Sequence, residues 1–178
     1  MMQILVTIAV MLGLAAPAQG QLILNLDHLA KGAKETVEIT LDGALLKLAG
    51  RFLSAEKPDE AKVKEIVTGL TGIYVRSFEF DRANAYTDGD LDAIRGQIRG
   101  PGWTRIARHT AGPRQGKDAR EVSELYVRSE GNRSTGVTII TAEPRELTVV
   151  QILGDIDLDK LGDLSGQFGI PKLPKQVR

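Results

Sequence analysis

Hydrophobic and polar residues alternate strictly from Glu35 to Leu41, which predicts a half-buried β-strand. The apolar face of that strand would consist of Val37, Ile39 and Leu41. The next segment, Ala44 to Leu53, carries apolar residues at helical spacing and therefore predicts an amphipathic helix. The residues expected on its buried face are Leu45, Leu48, Ala49 and Phe52.

A second amphipathic helix is predicted from Val63 to Leu70, after a linker in which Asp59 is the candidate N-cap. Residues that favour β-structure are then dense from Ile73 to Phe80, although their alternation is imperfect. Either both faces of this strand are covered, or a bulge near Arg76 and Ser77 switches its faces.

The second half of the chain is mostly strand. Asp88 is expected to cap a third helix, which ends at Gly100. Four strands are predicted after it, at Thr104 to His109, Glu121 to Arg128, Thr135 to Ala142 and Leu147 to Leu153. Their short connections predict an antiparallel meander. A last helix is expected from Leu158 to Phe168, with Asp155 or Asp157 at its N-terminus.

This order of elements predicts an α+β fold. We expect a two-layer sandwich, in which a mostly antiparallel sheet with a C-terminal four-strand meander carries helices on one face. A chain of this length forms one domain, which we place at residues 21–170. The basic segment 171–178 is predicted to be a flexible tail.

The N-terminal segment predicts export. An apolar run from Ile4 to Ala16 is followed by small residues up to Gly20, as in a secretory signal peptide. The run is shorter than the roughly 20 residues that a membrane-spanning helix needs. We therefore place a signal peptide at residues 1–20 and expect a periplasmic or secreted protein. The alternative is a retained apolar segment, since no Lys or Arg precedes the run.

The amino-acid composition excludes some classes of function. The chain has no cysteine, so an exported form cannot carry a thioether-linked lipid, a disulfide or a thiolate metal site. We therefore expect neither a lipoprotein nor a stable membrane anchor after signal cleavage. The 23 basic residues balance 23 acidic ones and aromatic residues are few, which argues against nucleic-acid binding.

No catalytic motif stands out from the sequence. The acidic runs at Asp88 to Asp92 and Asp155 to Asp159 resemble the start of a calcium loop, but the favourable position of acidic residues at a helix start explains both. His28 and His109 have no second ligand at the spacing of a zinc site. We therefore assign no catalytic residue, metal ligand or cofactor.

The best site candidate is the basic stretch between Arg95 and Arg120. The predicted binding residues are Arg105, Arg108, Arg114, Lys117 and Arg120. The spacing of Arg105 and Arg108 is odd, so the two cannot both face one side of an ideal strand. Such a cluster would bind an acidic partner protein or anionic lipid headgroups. The alternative is a set of solvated charges on a loop and a helix.

Four blocks of the chain carry a resemblance to a known family. They are Gly69 to Phe80, Ile94 to Trp103, Ala142 to Val150 and Gly166 to Pro171. In order and spacing they resemble the bacterial exported family known as domain of unknown function 4252. The resemblance implies export, often as a lipoprotein, and a loose association with extracytoplasmic sigma factors and their anti-sigma partners. It assigns no activity and no catalytic residue.

Taken together, these features predict an exported, non-enzymatic binding or interaction module. Its expected partner is another envelope protein, with envelope signalling as the specific hypothesis. Two alternatives stay open. One is a carboxylate- or metal-dependent hydrolase, because carboxylates are plentiful. The other is an anionic lipid or anion binder that uses the basic stretch from Arg95 to Arg120.

Overall fold

The computed structural model of the protein describes residues 23–83, 85–112 and 121–158. Its helices are α1 (Asp27–Ala30), α2 (Gly43–Phe52), α3 (Pro58–Gly69) and α4 (Asp88–Gln97). Its strands are β1 (Glu35–Asp42), β2 (Leu70–Glu79), β3 (Trp103–Ala111), β4 (Glu121–Glu130), β5 (Arg133–Ala142) and β6 (Glu146–Ile156). Within these residues no helix has both the length and the apolar character needed to cross a membrane.

The strands form one six-stranded sheet in the order β1-β2-β6-β5-β4-β3, and all neighbouring strands are antiparallel. The α+β class and the C-terminal meander from β3 to β6 are therefore confirmed. The last strand of the meander pairs with β2, which places β1 and β3 at the two edges of the sheet. Helix α4 leads from β2 in the interior to β3 at the far edge.

Successive residues of the central strands alternate between two apolar cores. Phe78, Ile140 and Leu147 belong to the core that contains the buried residues of α1 and α4. We call this side of the sheet the α4 face. Val75 and Ile139 belong to the opposite core, against α2 and α3, which we call the α2–α3 face. The fully buried strands therefore need apolar cover on both sides.

The helices pack on both faces of the sheet, whereas the prediction placed them on one face. The reason is visible in β5 and β6, where consecutive apolar residues such as Val149 and Val150 enter different cores. The alternation of β2 is imperfect because its residues also enter two different cores. Both of its faces are covered, and the irregularity in its pairing lies between Leu70 and Gly72 rather than near Arg76.

The predicted buried face of α2 is wrong, whereas Val37, Ile39 and Leu41 of β1 share one half-buried face, as predicted. In α2 it is Leu46 that is buried, whereas Phe52 is 80% exposed. In β1, Val37 and Ile39 are 44% and 45% exposed. Among the described strands β1 pairs with β2 alone, so its side chains have a neighbouring strand on one side.

The helix caps also differ from their predicted positions. Lys57 is the N-cap of α3, and Pro58 occupies its first turn, where the missing N–H is not needed. In α4 the N-cap is Thr87, whose hydroxyl accepts a hydrogen bond from the Asp90 backbone while the Asp90 carboxylate accepts one from the Thr87 backbone. The predictions of Asp59 and Asp88 as N-caps are therefore wrong.

The predicted signal peptide, the predicted helix beyond Leu158 and the predicted tail at 171–178 lie outside the described residues. Asp155 lies on β6 and forms an ion pair of 2.7 Å with Arg133, so it is not the start of a helix.

The packing of α4 on the sheet gives a first test. Ile94 is fully buried in the core of the α4 face, so Ile94→Ala is expected to lower the free energy of unfolding by about 2–5 kcal/mol. The control Leu48→Ala alters a half-exposed side chain on α2 and is expected to cost less than about 1 kcal/mol. Urea unfolding followed by circular dichroism measures both, and equal losses would contradict the assigned packing.

Candidate functional site

A buried carboxylate lies at the centre of a group of arginines on the α4 face. Glu124 belongs to β4, and its side chain is completely buried. Arg95 of α4 donates two hydrogen bonds to it, from Nε to Oε2 and from Nη2 to Oε1, both 3.0 Å long. The Tyr126 hydroxyl donates a third to Oε2, at 2.8 Å. The bidentate geometry is the strong form of this contact.

Two arginines of β3 complete the arrangement. Arg108 places its Nε 3.2 Å from Glu124 Oε1, and Arg105 places its Nη1 3.6 Å from the same oxygen. We call Arg95, Arg105, Arg108 and Glu124 the arginine cluster. The exposed Asp92 pairs with Arg95 at 2.9 Å. Three guanidinium groups thus face two carboxylates, and the site keeps a surplus of positive charge.

A β-bulge brings the two β3 arginines to one face. Arg105 pairs with Tyr126, Ala107 with Leu125 and Arg108 with Glu124 across the β3–β4 ladder. Ile106 is therefore an extra residue, and it reverses the alternation between the arginines. The expectation that Arg105 and Arg108 cannot share a side holds for an ideal strand and is wrong for this one.

The electrostatics of the site keep Glu124 ionised. Burial acts to raise the pKa of Glu124, but the hydrogen bonds from Arg95 and Tyr126 and the charges of Arg95 and Arg108 outweigh it and lower that pKa. Burial acts to lower the pKa of Arg95, but its hydrogen bonds to Glu124 and Asp92 outweigh burial and raise that pKa above its usual range. The pKa of Tyr126 is raised, by burial first and then by its bond to the ionised Glu124.

The outer part of the cluster is open to solvent. The side chains of Arg105 and Arg108 are 44% and 46% exposed, whereas that of Arg95 is 15% exposed. Glu124 accepts hydrogen bonds from Arg95 and forms ion pairs with Arg105 and Arg108, and the exposed parts of Arg105 and Arg108 face outward. Planar guanidinium groups bind carboxylate or phosphate oxygens in pairs. The arrangement is therefore suited to binding an anionic group.

The structure brings together two of the predicted site residues, Arg105 and Arg108. The other three, Arg114, Lys117 and Arg120, lie outside the described residues. Glu124 was not predicted as a site residue. Its signal in the sequence is a carboxylate at an inward position of β4, between Val122 and Tyr126, which both face the core.

His28 and the acidic run from Asp88 to Asp92 are further candidate ligands within the described residues. His28 lies 3.8 Å from Asp90, which also accepts hydrogen bonds within the α4 cap. In residues 23–83, 85–112 and 121–158 no group of three or more His, Cys, Asp or Glu could hold a metal ion. Asp88 and Asp90 lie in the first turn of α4, where the helix dipole favours acidic residues.

Comparison with known proteins gives one result. The model of a family described as "Domain of unknown function (DUF4252)" matches residues 31–164, which is more than half of the chain. No curated protein and no solved structure matches the chain.

The contact between α4 and Glu124 can be tested by removing Arg95. Arg95→Met is expected to lower the free energy of unfolding by about 3 kcal/mol at neutral pH, because it leaves a buried carboxylate without its bidentate partner. Arg105→Met is the matched control, and its half-exposed side chain and longer contact predict a loss below about 1 kcal/mol. Urea titrations compare the two, and a larger loss for Arg105→Met would contradict the geometry.

The lowered pKa of Glu124 predicts a specific pH dependence. The ionised carboxylate stabilises the fold fully above its unfolded pKa of about 4.3, and that contribution is lost as the pH falls through the lower folded pKa. The stability difference between the unaltered chain and Glu124→Gln should therefore be constant near neutral pH and shrink below about pH 4.3. Urea unfolding at several pH values measures it. A difference that grows on acidification would contradict this sign.

Proposed function

This chain belongs to the family of the domain of unknown function DUF4252, and from that premise we propose that it is a non-enzymatic binding module whose arginine cluster holds an acidic partner. We further propose that residues 1–20 direct export without a lipid anchor and that the partner is a protein of the cell envelope, within envelope signalling. One observation carries the binding proposal, namely the buried Glu124 beneath two half-exposed arginines.

The buried carboxylate supports this function by organising the arginines in advance. A free arginine side chain loses rotamer freedom when it binds, which costs about 0.5–1.5 kcal/mol. Contacts with Glu124 restrict Arg105 and Arg108 before a partner arrives. The surplus positive charge above Glu124 also favours encounter with an acidic surface.

The hydrolase alternative has less support at this site. A general acid needs a carboxyl group that holds a proton near the working pH. Glu124 has a lowered pKa and already accepts hydrogen bonds from Arg95 and Tyr126, so it does not meet that need. The other carboxylate of the region, Asp92, is exposed and paired with Arg95.

An anionic membrane is the competing ligand, since arginine binds phosphate as well as carboxylate. Arg105 and Arg108 contact one buried carboxylate, Glu124, which fixes both guanidinium groups at one place. Such an ordered pair supports a localised contact with carboxylates on a protein.

Photo-crosslinking from the bulge tests the proposal. A photoreactive amino acid replaces Ile106, which is 49% exposed and lies between the two arginines. In cells that export the protein, we expect a crosslinked partner whose yield falls about tenfold in Arg105→Gln/Arg108→Gln, a loss of about 1.4 kcal/mol. The matched control is Arg51→Gln/Arg145→Gln, which removes two exposed arginines outside the cluster.

The outcomes separate the alternatives. An equal yield from both double variants would contradict the proposed role of the cluster. Binding of the purified protein to vesicles with anionic lipid, lost in Arg105→Gln/Arg108→Gln and retained in the control, would favour the membrane instead. Circular dichroism confirms that each variant is folded before its crosslinking is compared.

A further inference from the structure

We propose that the acidic surface that fits the arginine cluster is the β1 edge of a second copy of this chain. Copies would then add head to tail, with β1 of one molecule paired to β3 of the next. The inference rests on the proposed function, because it names a partner for the same arginines. It is carried by the direction, charge and side-chain placement of the two edge strands.

The direction of the edges allows one continuous sheet. The sheet has six strands and every neighbouring pair is antiparallel, so β1 and β3 run in opposite directions. A second copy shifted sideways therefore places its β1 antiparallel to β3 of the first. The two copies also keep their α4 faces on the same side. β1 and β3 have 8 and 9 residues, so the two edges are of similar length.

The charges of the two edges are opposite. β1 has the sequence ETVEITLD, with acidic residues at Glu35, Glu38 and Asp42 and no basic residue. β3 has the sequence WTRIARHTA, with Arg105 and Arg108 and no acidic residue. Pairing two β1 edges would oppose like charges, and so would pairing two β3 edges. The charges therefore disfavour symmetric dimers and favour β1 against β3.

The charged residues also lie on matching faces. Glu38 pairs with Arg76 and Thr36 with Phe78 in the β1–β2 ladder, which places Thr36 and Glu38 on the α4 face. Arg105 and Arg108 share that face through their contacts with Glu124. Glu38 is about half exposed and could accept from Arg76 and from the Arg108 of a neighbouring copy together.

One register of the β1–β3 pairing brings compatible side chains together on both faces of the sheet. If Glu38 lies opposite Arg108 of the next copy, Thr36 lies opposite Thr110, and Ile39 lies opposite Ala107 on the α2–α3 face. The half-exposed Val37 and Ile39 would then gain side-chain neighbours that the isolated edge lacks. Backbone N–H and C=O groups that have no strand partner among the described residues would find partners at both edges in the same step.

Disulfide trapping tests this register, because the chain has no cysteine of its own. Thr36→Cys and Thr110→Cys place single thiols on exposed positions that would be directly opposed in the proposed ladder. Equal amounts of the two purified single variants are mixed and oxidised. The matched control mixes Thr110→Cys with Thr68→Cys, which carries its thiol on the exposed surface of α3.

We expect Thr36–Thr110 heterodimers at least about tenfold above the Thr68 control, equivalent to about 1.4 kcal/mol of preference. The yield should fall as salt is raised, because the charged edges are exposed. A predominance of homodimers of either variant, or a random mixture of the three dimers, would overturn the proposal. So would a heterodimer yield equal to that of the Thr68 control.

A second measurement separates this inference from the proposed function and does not depend on disulfide chemistry. Sedimentation of the unaltered purified protein should give a mean mass that rises with concentration, and Glu35→Gln/Glu38→Gln should return it to the monomer. A monomer at all concentrations, combined with an arginine-dependent crosslink to a different envelope protein, would overturn the inference and support the proposed function. Self-association that persists unchanged in Arg105→Gln/Arg108→Gln would overturn the inference, whereas the proposed function would still be decided by the crosslinking yield.

Discussion

The bond between Glu124 and Arg95 joins α4 to the sheet in the interior of the protein. A buried carboxylate loses its hydration, at an effective cost of several kcal/mol, unless well-placed donors replace the water. Arg95 and Tyr126 supply those donors, and Arg108 adds an ion pair. This requirement constrains the position of α4, which carries Arg95, and the path of β3. The bulge in β3 is the local change that lets Arg108 reach the carboxylate.

The same constraint links the core to the proposed binding surface. Because the inner carboxylate is satisfied and ionised, it acts as a fixed negative charge beneath the positively charged surface. The positive charge of the arginines above it is only partly neutralised, and their contacts with Glu124 restrict the side chains. A surface that is positively charged and already ordered is suited to recognising carboxylates, and it needs no catalytic group to do so.

The equal numbers of acidic and basic residues conceal a separation of charge between the two edges of the sheet. The whole chain has 23 basic and 23 acidic residues. The acidic strand β1 and the basic strand β3 nevertheless form the two opposite edges of the sheet. Edge strands expose backbone groups that can pair with another chain, and charged residues restrict which chains can approach. In this protein the charges on each edge disfavour pairing with a like edge and favour pairing with an opposite one. Net charge alone would not reveal that property.

By itself the sequence determined the features that depend on near neighbours in the chain. Alternation and helical spacing predicted the six strands, helices α2 to α4 and the meander, because these patterns reflect local backbone geometry. The tertiary structure alone decided the pairing of β2 with β6, the division of the helices between two faces and the exposure of Phe52. It also decided the site, since Glu124 and Arg95 are 29 residues apart and meet only when α4 packs on β4. Contacts at that distance depend on how whole elements pack, which local periodicity does not encode.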